Sequence, residues 1–390
     1  MFAKRTEWLR SLNPLMARLK KAQKSGQRIL DLTESNPTRC GFAFPSPKIQ
    51  KALLSPKNIF YEPSPQGLLR ARERVALYYK KNGFHVSPAQ IFLTASTSEA
   101  YAFLFRLLLE PGEAVLVPRP SYPLFQFLAE INDVEIKNYP LHYDGSWQID
   151  FDALKNAVTS KTKSLILVNP NNPTGSYVKK EELSKINRLA EEKRLALIAD
   201  EVFWDYRIKA GVPVAGFAQN SEVLTFTLNG ISKILALPQM KIGWIVVSGP
   251  AKEVKAALER LEIIADTYLS VNTPAQNALS SWLLFKNGIQ NEITGRLKKN
   301  YSTLKTLIQK SKTCEALSLE GGWYAVLRLP RIHSDEEWAI DFLEKDRVFV
   351  HPGYFFDFEK EGYIVISLLP RPRDFEEGMR RLLQRVNKTL

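Results

Sequence analysis

Between residues 91 and 248 the chain alternates short apolar runs with amphipathic stretches, and this alternation limits the possible folds more than any other feature. The apolar runs are IFLTA (91–95), AVLVP (114–118), EIKNYP (135–140), SLILVNP (164–170), LALIAD (195–200), VLTFTL (223–228) and IGWIVVS (242–248). SEAYAFLFRLLLE, YPLFQFLAEI and KEELSKINRLAEEKR lie between several of them and repeat their apolar residues at helical spacing. Strands separated by helices at this spacing predict an α/β fold, a mostly parallel central sheet with helices on both faces. After Pro250 the pattern changes to long helices, AKEVKAALERLEIIADTYL and TPAQNALSSWLLF onward to LKTLIQK. Short strands follow (GWYAVLRLP, VFVHPG, YIVISLL), then a terminal helix, DFEEGMRRLLQRVNKTL. At 390 residues two domains are expected. The change of pattern sets a large domain at 46–270 and a smaller α+β domain built from 1–45 and 271–390.

Composition narrows the function classes. Nowhere does the chain hold the ~18–20 uninterrupted apolar residues of a membrane helix, so no membrane partner is expected. The start, MFAKRTEWLRSLNPLMARLKK, is basic and amphipathic. It fits an N-terminal helix of the fold better than a transit peptide and lacks a secretory apolar core. Cys40 and Cys314 are the two cysteines, and His85, His142, His333 and His351 are scattered without ligand spacing. Neither a disulfide framework nor a metal site is expected, and a reducing cytoplasm is the default location. The net charge of +13 raises the question of nucleic acid. The basic residues are interleaved with acids on helices, the pattern of solvated faces, so the charge serves better to attract anionic substrates or a phosphate group.

Ligands of open α/β sheets collect at the carboxyl ends of strands. Thr94–Ser98, Asn169–Gly175, Asp200 and Asn229–Lys233 all fall at such ends. NPNNPTG (169–175) combines two Asn-Pro steps with a glycine, which forces a rigid non-helical turn. Asp200 ends an apolar strand, where a carboxylate is costly unless paired; a helix N-cap is the plainer account. TASTSEA (94–100) offers hydroxyls, backbone N–H groups and a helix N-terminus, the components of a phosphate site or simply of a strong N-cap.

Taken together, NPNNPTG, the Asp200-Glu201 pair, and the segment SKILALPQMKIGW with Lys233 resemble the class I/II aminotransferases of pyridoxal phosphate fold type I. The resemblance runs from about Leu32 to the C-terminus. It implies pyridoxal 5′-phosphate as cofactor, carried by Lys233 as a Schiff base, with the same amine later moving a proton at the substrate Cα. It implies that Asp200 pairs the cofactor's ring nitrogen and keeps it protonated. Asn172 would bond the cofactor's 3′-oxygen and the substrate, and Ser96, Thr97 and Ser98 would hold the phosphate together with Lys241. Tyr122 stands where the family stacks an aromatic on the ring, although a core tyrosine is the alternative. Tyr61, in YEPSPQGLLRARE, matches a tyrosine that reaches the cofactor phosphate of the other subunit, which implies a homodimer with shared active sites.

Four positions depart from the family pattern. Phe203 replaces a tyrosine that bonds the 3′-oxygen, and Tyr206 is its nearest substitute in sequence. Gly230 replaces a hydroxyl phosphate ligand, and Lys241 replaces an arginine, which removes the bidentate fork. Val365, in YIVISLLPRP, occupies the place of the arginine that grips the substrate carboxylate. Either the substrate has no α-carboxylate there, or Arg39, Arg371 or Arg373 supplies the grip. The expected activity is amino transfer from an amino acid or amine to a 2-oxo acid. The alternative is a lyase, decarboxylase or cyclase on the same fold, since the first chemical steps are shared. A regulator that only senses the cofactor is a third reading, and no DNA-binding extension supports it.

Overall fold

The seven apolar runs all become strands of one eight-stranded sheet in the computed structural model, which describes residues 1–8, 13–311 and 313–390. In chain order the strands are β1 (Leu30–Asp31), β2 (Ile91–Thr94), β3 (Ala114–Arg119), β4 (Glu135–Tyr143), β5 (Trp147–Ile149), β6 (Thr162–Val168) and β7 (Ala196–Asp200). There follow β8 (Thr225–Gly230), β9 (Gly243–Ser248), β10 (Glu315–Ala316), β11 (Tyr324–Arg328), β12 (Val348–Phe349), β13 (His351–Pro352) and β14 (Tyr363–Ser367). The large sheet runs in the spatial order β2-β9-β8-β7-β6-β3-β4-β5. The pairs from β8 through β7, β6 and β3 to β4 are parallel.

Its strands read as continuous apolar runs because both faces are covered. Ile166, Ile198, Phe226 and Ile245 point to one core, packed by Phe103 and Leu104 of the helix Thr97–Leu108 and Leu261 of the helix Ala251–Tyr268. Leu165, Leu167 and Leu197 point the other way, against Ile186 and Leu189 of the helix Lys180–Lys193.

Two strands depart from the parallel expectation. β9 runs antiparallel to both β8 and β2. Residues 231–242 join β8 to β9 and are occupied by a short helix, Ile231–Ile234, and a turn at Pro238–Met240. Too little chain remains there for a crossover, so the strand folds straight back. EIKNYP is the first part of a longer strand that turns at Asp144-Gly145 and pairs antiparallel with β5, a hairpin the alternation did not reveal.

In the remainder of the chain β10-β11-β14-β13 form an antiparallel sheet, and the N-terminal β1 pairs in parallel with β12. VFVHPG, read as one strand, splits on either side of buried Val350: β12 pairs with β1 and β13 pairs with β14. Near the N-terminus a helix spans Pro14–Lys24, capped by Asn13, whose side chain accepts from the Met16 N–H at 2.8 Å. Part of the amphipathic segment expected to be helical falls on residues 9–12, outside the described residues. Leu15 and Leu19 from that helix share a core with Trp338, Phe342, Leu382 and Val386. No helix among the described residues is long and apolar enough to cross a membrane.

Candidate active site

Four strand ends and one loop of the smaller sheet enclose a cavity of about 380 Å³, a volume within the range of small-molecule sites. Thr97, Ser98, Tyr122, Asn172, Asp200, Phe203, Gly230, Ser232 and Lys233 line it from the large sheet, and Tyr324, His351, Phe355 and Phe356 from the opposite side. The ends of β2, β6, β7 and β8 lie at the same edge, so Thr97, Asn172, Asp200 and Lys233, far apart in sequence, meet in one place.

The rigid turn at 169–175 is buried throughout, and its polar groups are accounted for almost completely. Asn169 donates from Nδ2 to the Ala215 carbonyl at 2.8 Å and to Glu201 Oε1 at 3.2 Å, and its Oδ1 accepts from the Val178 N–H at 3.0 Å. Asn171 Oδ1 accepts from the Thr174 hydroxyl at 2.9 Å and its N–H at 3.2 Å. Glu201 is buried, accepts also from the Phe217 N–H at 3.0 Å, and is pushed up to about 8 by burial. It locks the turn to β7 and does not reach the cavity. Asn172 Oδ1 is the exception: it is buried, has no partner, and belongs to a residue of the cavity wall. An unpaired buried carbonyl oxygen is the mark of a missing ligand group.

Asp200 is 9% exposed. Its Oδ2 accepts from the Tyr101 hydroxyl at 3.0 Å and its Oδ1 from the Val202 N–H at 3.1 Å. Burial raises its carboxyl to about 6, against the opposing pull of these hydrogen bonds and of Lys233. Two neutral donors orient the group, and a protonated ring nitrogen would supply the cation it lacks. Lys233 lies on the short helix after β8, with Nζ 4.7 Å from the centre of the Trp323 ring and 5.2 Å from that of Phe203. Burial lowers its ammonium to about 8, opposed by Asp200. An amine so placed is neutral often enough near neutral pH to act as a nucleophile and base.

The remaining predicted residues divide. Thr97 and Ser98 open the helix Thr97–Leu108 and line the cavity, where their N–H groups and hydroxyls could hold an anion. Ser96 is the N-cap itself: its hydroxyl accepts from the Glu99 N–H at 3.1 Å, and it is not on the cavity wall. A Cβ on Gly243 would come within 3.1 Å of the Thr97 nitrogen and of the Ser96 backbone carbon, so a larger residue would press on the backbone of this cradle. The same holds at Gly230, where a Cβ would lie 2.9 Å from the Ile242 carbonyl oxygen. The hydroxyl residue expected at 230 from the family pattern does not fit this backbone. Ser232, also on the wall, offers a hydroxyl one residue before Lys233. Tyr122 is half exposed and faces the cavity. Lys241 is exposed and off the wall, and Tyr61 is 76% exposed, away from the cavity of its own chain.

Phe203 takes the wall position predicted from the sequence, edge-on to Trp323 at 5.3 Å. Tyr206 does not replace its missing hydroxyl, because the Tyr206 phenol donates to the Lys233 carbonyl at 2.5 Å. It holds the backbone of the lysine instead. Arg39, Arg371 and Arg373 are exposed, and none lines the cavity. Arg371 packs against Gly41, and Arg373 lines a separate cleft with Arg28 and Lys299. Val365 is fully buried in β14. Sequence reasoning missed Ser35, Ser232, Tyr324 and His351. Ser232 adjoins Lys233 and was within reach of that reasoning; the other three arrive from distant strands and turns. Among the described residues no cluster of three or more histidines, cysteines or carboxylates forms a metal site.

The family described as aminotransferase class I and II matches residues 28–382. The chain is 28% identical over 367 residues to the glutamate-pyruvate aminotransferase AlaA of Haemophilus influenzae, covering 92% of this chain and 91% of that protein. It is also 28% identical over 380 residues to the alanine aminotransferase of Mycobacterium bovis, covering 95% of this chain and 88% of that one. An aminotransferase structure from Escherichia coli superposes with a TM-score of 0.87 at 26% identity, covering 99% of this chain and 98% of the other. The alanine aminotransferase structure from Pyrococcus furiosus gives 0.90 at 24% identity over the whole of both chains, a likeness of fold.

Proposed function

Since the chain belongs to the class I and II aminotransferases, enzymes that work with pyridoxal 5′-phosphate, we propose that Lys233 is the residue that carries the cofactor and moves the proton. The observation that carries this reading is the single cavity in which Lys233, Asp200 and Asn172 meet from three different strand ends. The unpaired Asn172 oxygen, the cradle at Gly243 and Thr97, and a buried carboxylate oriented by neutral donors fit the group. When bound, the cofactor supplies an aldehyde to link to an amine and a ring that withdraws the electrons left when a bond to Cα breaks.

Asp200 holds a proton at the ring nitrogen, and Tyr101 and the Val202 N–H fix the carboxylate for that task. Thr97, Ser98 and the helix N-terminus bind the phosphate, with Ser96 shaping that terminus as its cap. Lys241 adds positive charge from outside the wall. Asn172, with its unpaired oxygen, would hold a polar group of the cofactor, and Tyr122 would pack against it from the cavity wall. Lys233, with its amine free and neutral, would take the proton from the substrate Cα and hold it for return. Phe203, Phe355 and Phe356 keep water from the reacting atoms. The substrates are an amino acid or amine and a 2-oxo acid.

The protein acts as a cytoplasmic homodimer in which Tyr61 reaches the phosphate bound by the partner subunit. Leu54, Ile59, Phe60, Tyr61 and Leu69 are all more than half exposed over one short stretch, an apolar surface that a second copy would cover. We read 46–270 as the large cofactor-binding domain and 1–45 with 271–390 as the small one. The shared core of Leu15 and Leu19 with Trp338 and Leu382 supports joining the N-terminal segment to the C-terminal part.

The test is a single-turnover experiment on the cofactor-loaded protein. An α-amino acid should bleach the absorbance of the lysine-linked cofactor and leave one equivalent of 2-oxo acid. Release of ammonia with recovery of the original band would contradict amino transfer and point to elimination.

A further inference from the structure

The arginine position of the family, Val365, has a neighbour that no pattern singled out. His351 on β13 stands directly across from Val365 on β14 in the antiparallel register. Residues opposed in this way project from the same face of a sheet, with Cβ atoms ~5 Å apart. The valine ends in the core, fully buried, whereas the longer His351 side chain reaches the cavity wall. The imidazole is therefore the side chain on the same face of the sheet as Val365, directly opposite it, that lines the cavity.

Its surroundings are apolar. The rings of Phe349, Phe355 and Phe356 lie 6.1, 5.6 and 5.7 Å away, and burial holds the imidazolium down to about 4. Nδ1 is buried without a partner, which leaves Nε2 as the nitrogen available to the cavity. A buried orphan acceptor costs less than a buried orphan N–H, so the proton belongs on Nε2, facing the cavity as a donor. Among the described residues Lys233 is the sole lysine or arginine on the cavity wall, and the proposed function commits it to the chemistry.

We propose that His351 is the specificity-determining residue that replaces the missing arginine, reading the substrate by a neutral hydrogen bond from Nε2 to an acceptor oxygen beside the amine-bearing carbon. This deepens the aminotransferase reading and rests on it. A neutral donor cannot tell a carboxylate from an alcohol or amide oxygen as a guanidinium does, because the ion pair and the second hydrogen bond are absent. The substrate class is thus an amine bearing an adjacent oxygen acceptor, charged or not, with amino alcohols and amino amides accepted alongside amino acids.

The probes are alanine, alaninol and isopropylamine, matched in size, with dissociation constants and bleaching rates read from the cofactor absorbance in single turnovers. The expected result is that alanine and alaninol fall within about tenfold of each other. His351→Phe, which keeps the ring packing, should weaken both by about three- to tenfold and leave isopropylamine unchanged. His351→Arg should restore a preference for alanine over alaninol of roughly tenfold or more. A wild-type preference for alanine above about a hundredfold would overturn the proposal, since a cation would then be gripping the carboxylate. So would His351→Phe affecting all three probes alike, or none. Failure of every probe to bleach the cofactor would overturn the aminotransferase reading itself, and this inference with it.

Discussion

The cavity has two halves that differ in kind. The half built from the ends of the large sheet is polar and organised in depth: Asp200 is oriented by Tyr101 and Val202, the 169–175 turn by Asn169 and Glu201, and the lysine backbone by Tyr206. The half built from β11, β13 and the loop after it is aromatic, with His351 and Tyr324 as its polar groups and, among the described residues, no arginine. The first half serves a fixed chemistry and a constant cofactor. If His351 reads the substrate as proposed, the second meets the variable partner, and there a neutral ring opposite buried Val365 stands in for an ion pair.

Substitutions on the cofactor side should be severe and should act on every substrate alike. Lys233→Ala removes both the attachment point and the proton carrier, and turnover should fall by at least about a thousandfold while the protein stays folded. Steady-state rates with far-ultraviolet circular dichroism as a folding control would check this. Asp200→Asn keeps the shape but loses the charge opposite the ring nitrogen, and kcat should drop by about a hundredfold for good and poor donors equally.

The pH dependence sharpens the same half. Only the neutral amine can attack the cofactor, and Lys233 is lowered to about 8 in the free protein. The rate of cofactor capture by the stripped protein should therefore rise through pH 8, by about five- to tenfold between pH 7 and 9, as followed by stopped-flow absorbance. A flat profile would mean that the amine is not the group that titrates. Asn172→Ala should be the mildest change on this side, costing about three- to tenfold in cofactor affinity through one lost hydrogen bond, measurable by equilibrium titration. If it cost as much as Asp200→Asn, the ranking of roles within the cofactor half would need revision.

How much the sequence disclosed follows the same division. The parallel sheet was readable because its strands are apolar on both faces; Lys233, Asp200 and Asn172 were singled out because they follow such strands within segments that resemble the family's motifs, and all three line one cavity. The antiparallel direction of β9 and the existence of β5 were not read, because pairing direction depends on connection length and turn geometry, which apolar runs do not encode. Gly230 looked like a lost ligand in sequence, whereas the structure shows that the Ile242 carbonyl leaves no room for a side chain there. The three arginines were chosen by proximity to Val365 or to the N-terminal turn, and chain proximity does not bring a side chain through a packed sheet. His351 was invisible for the complementary reason: it is fourteen positions from Val365 in sequence and directly opposite it in the register.

The most direct test of the central claim is chemical trapping. The cofactor-loaded protein is reduced with borohydride, digested, and searched by mass spectrometry for the peptide that carries the pyridoxyl group. The account requires the label on Lys233 in the segment following β8, in stoichiometric amount. A label on Lys241 or another lysine, or none with the cofactor bound, would contradict it.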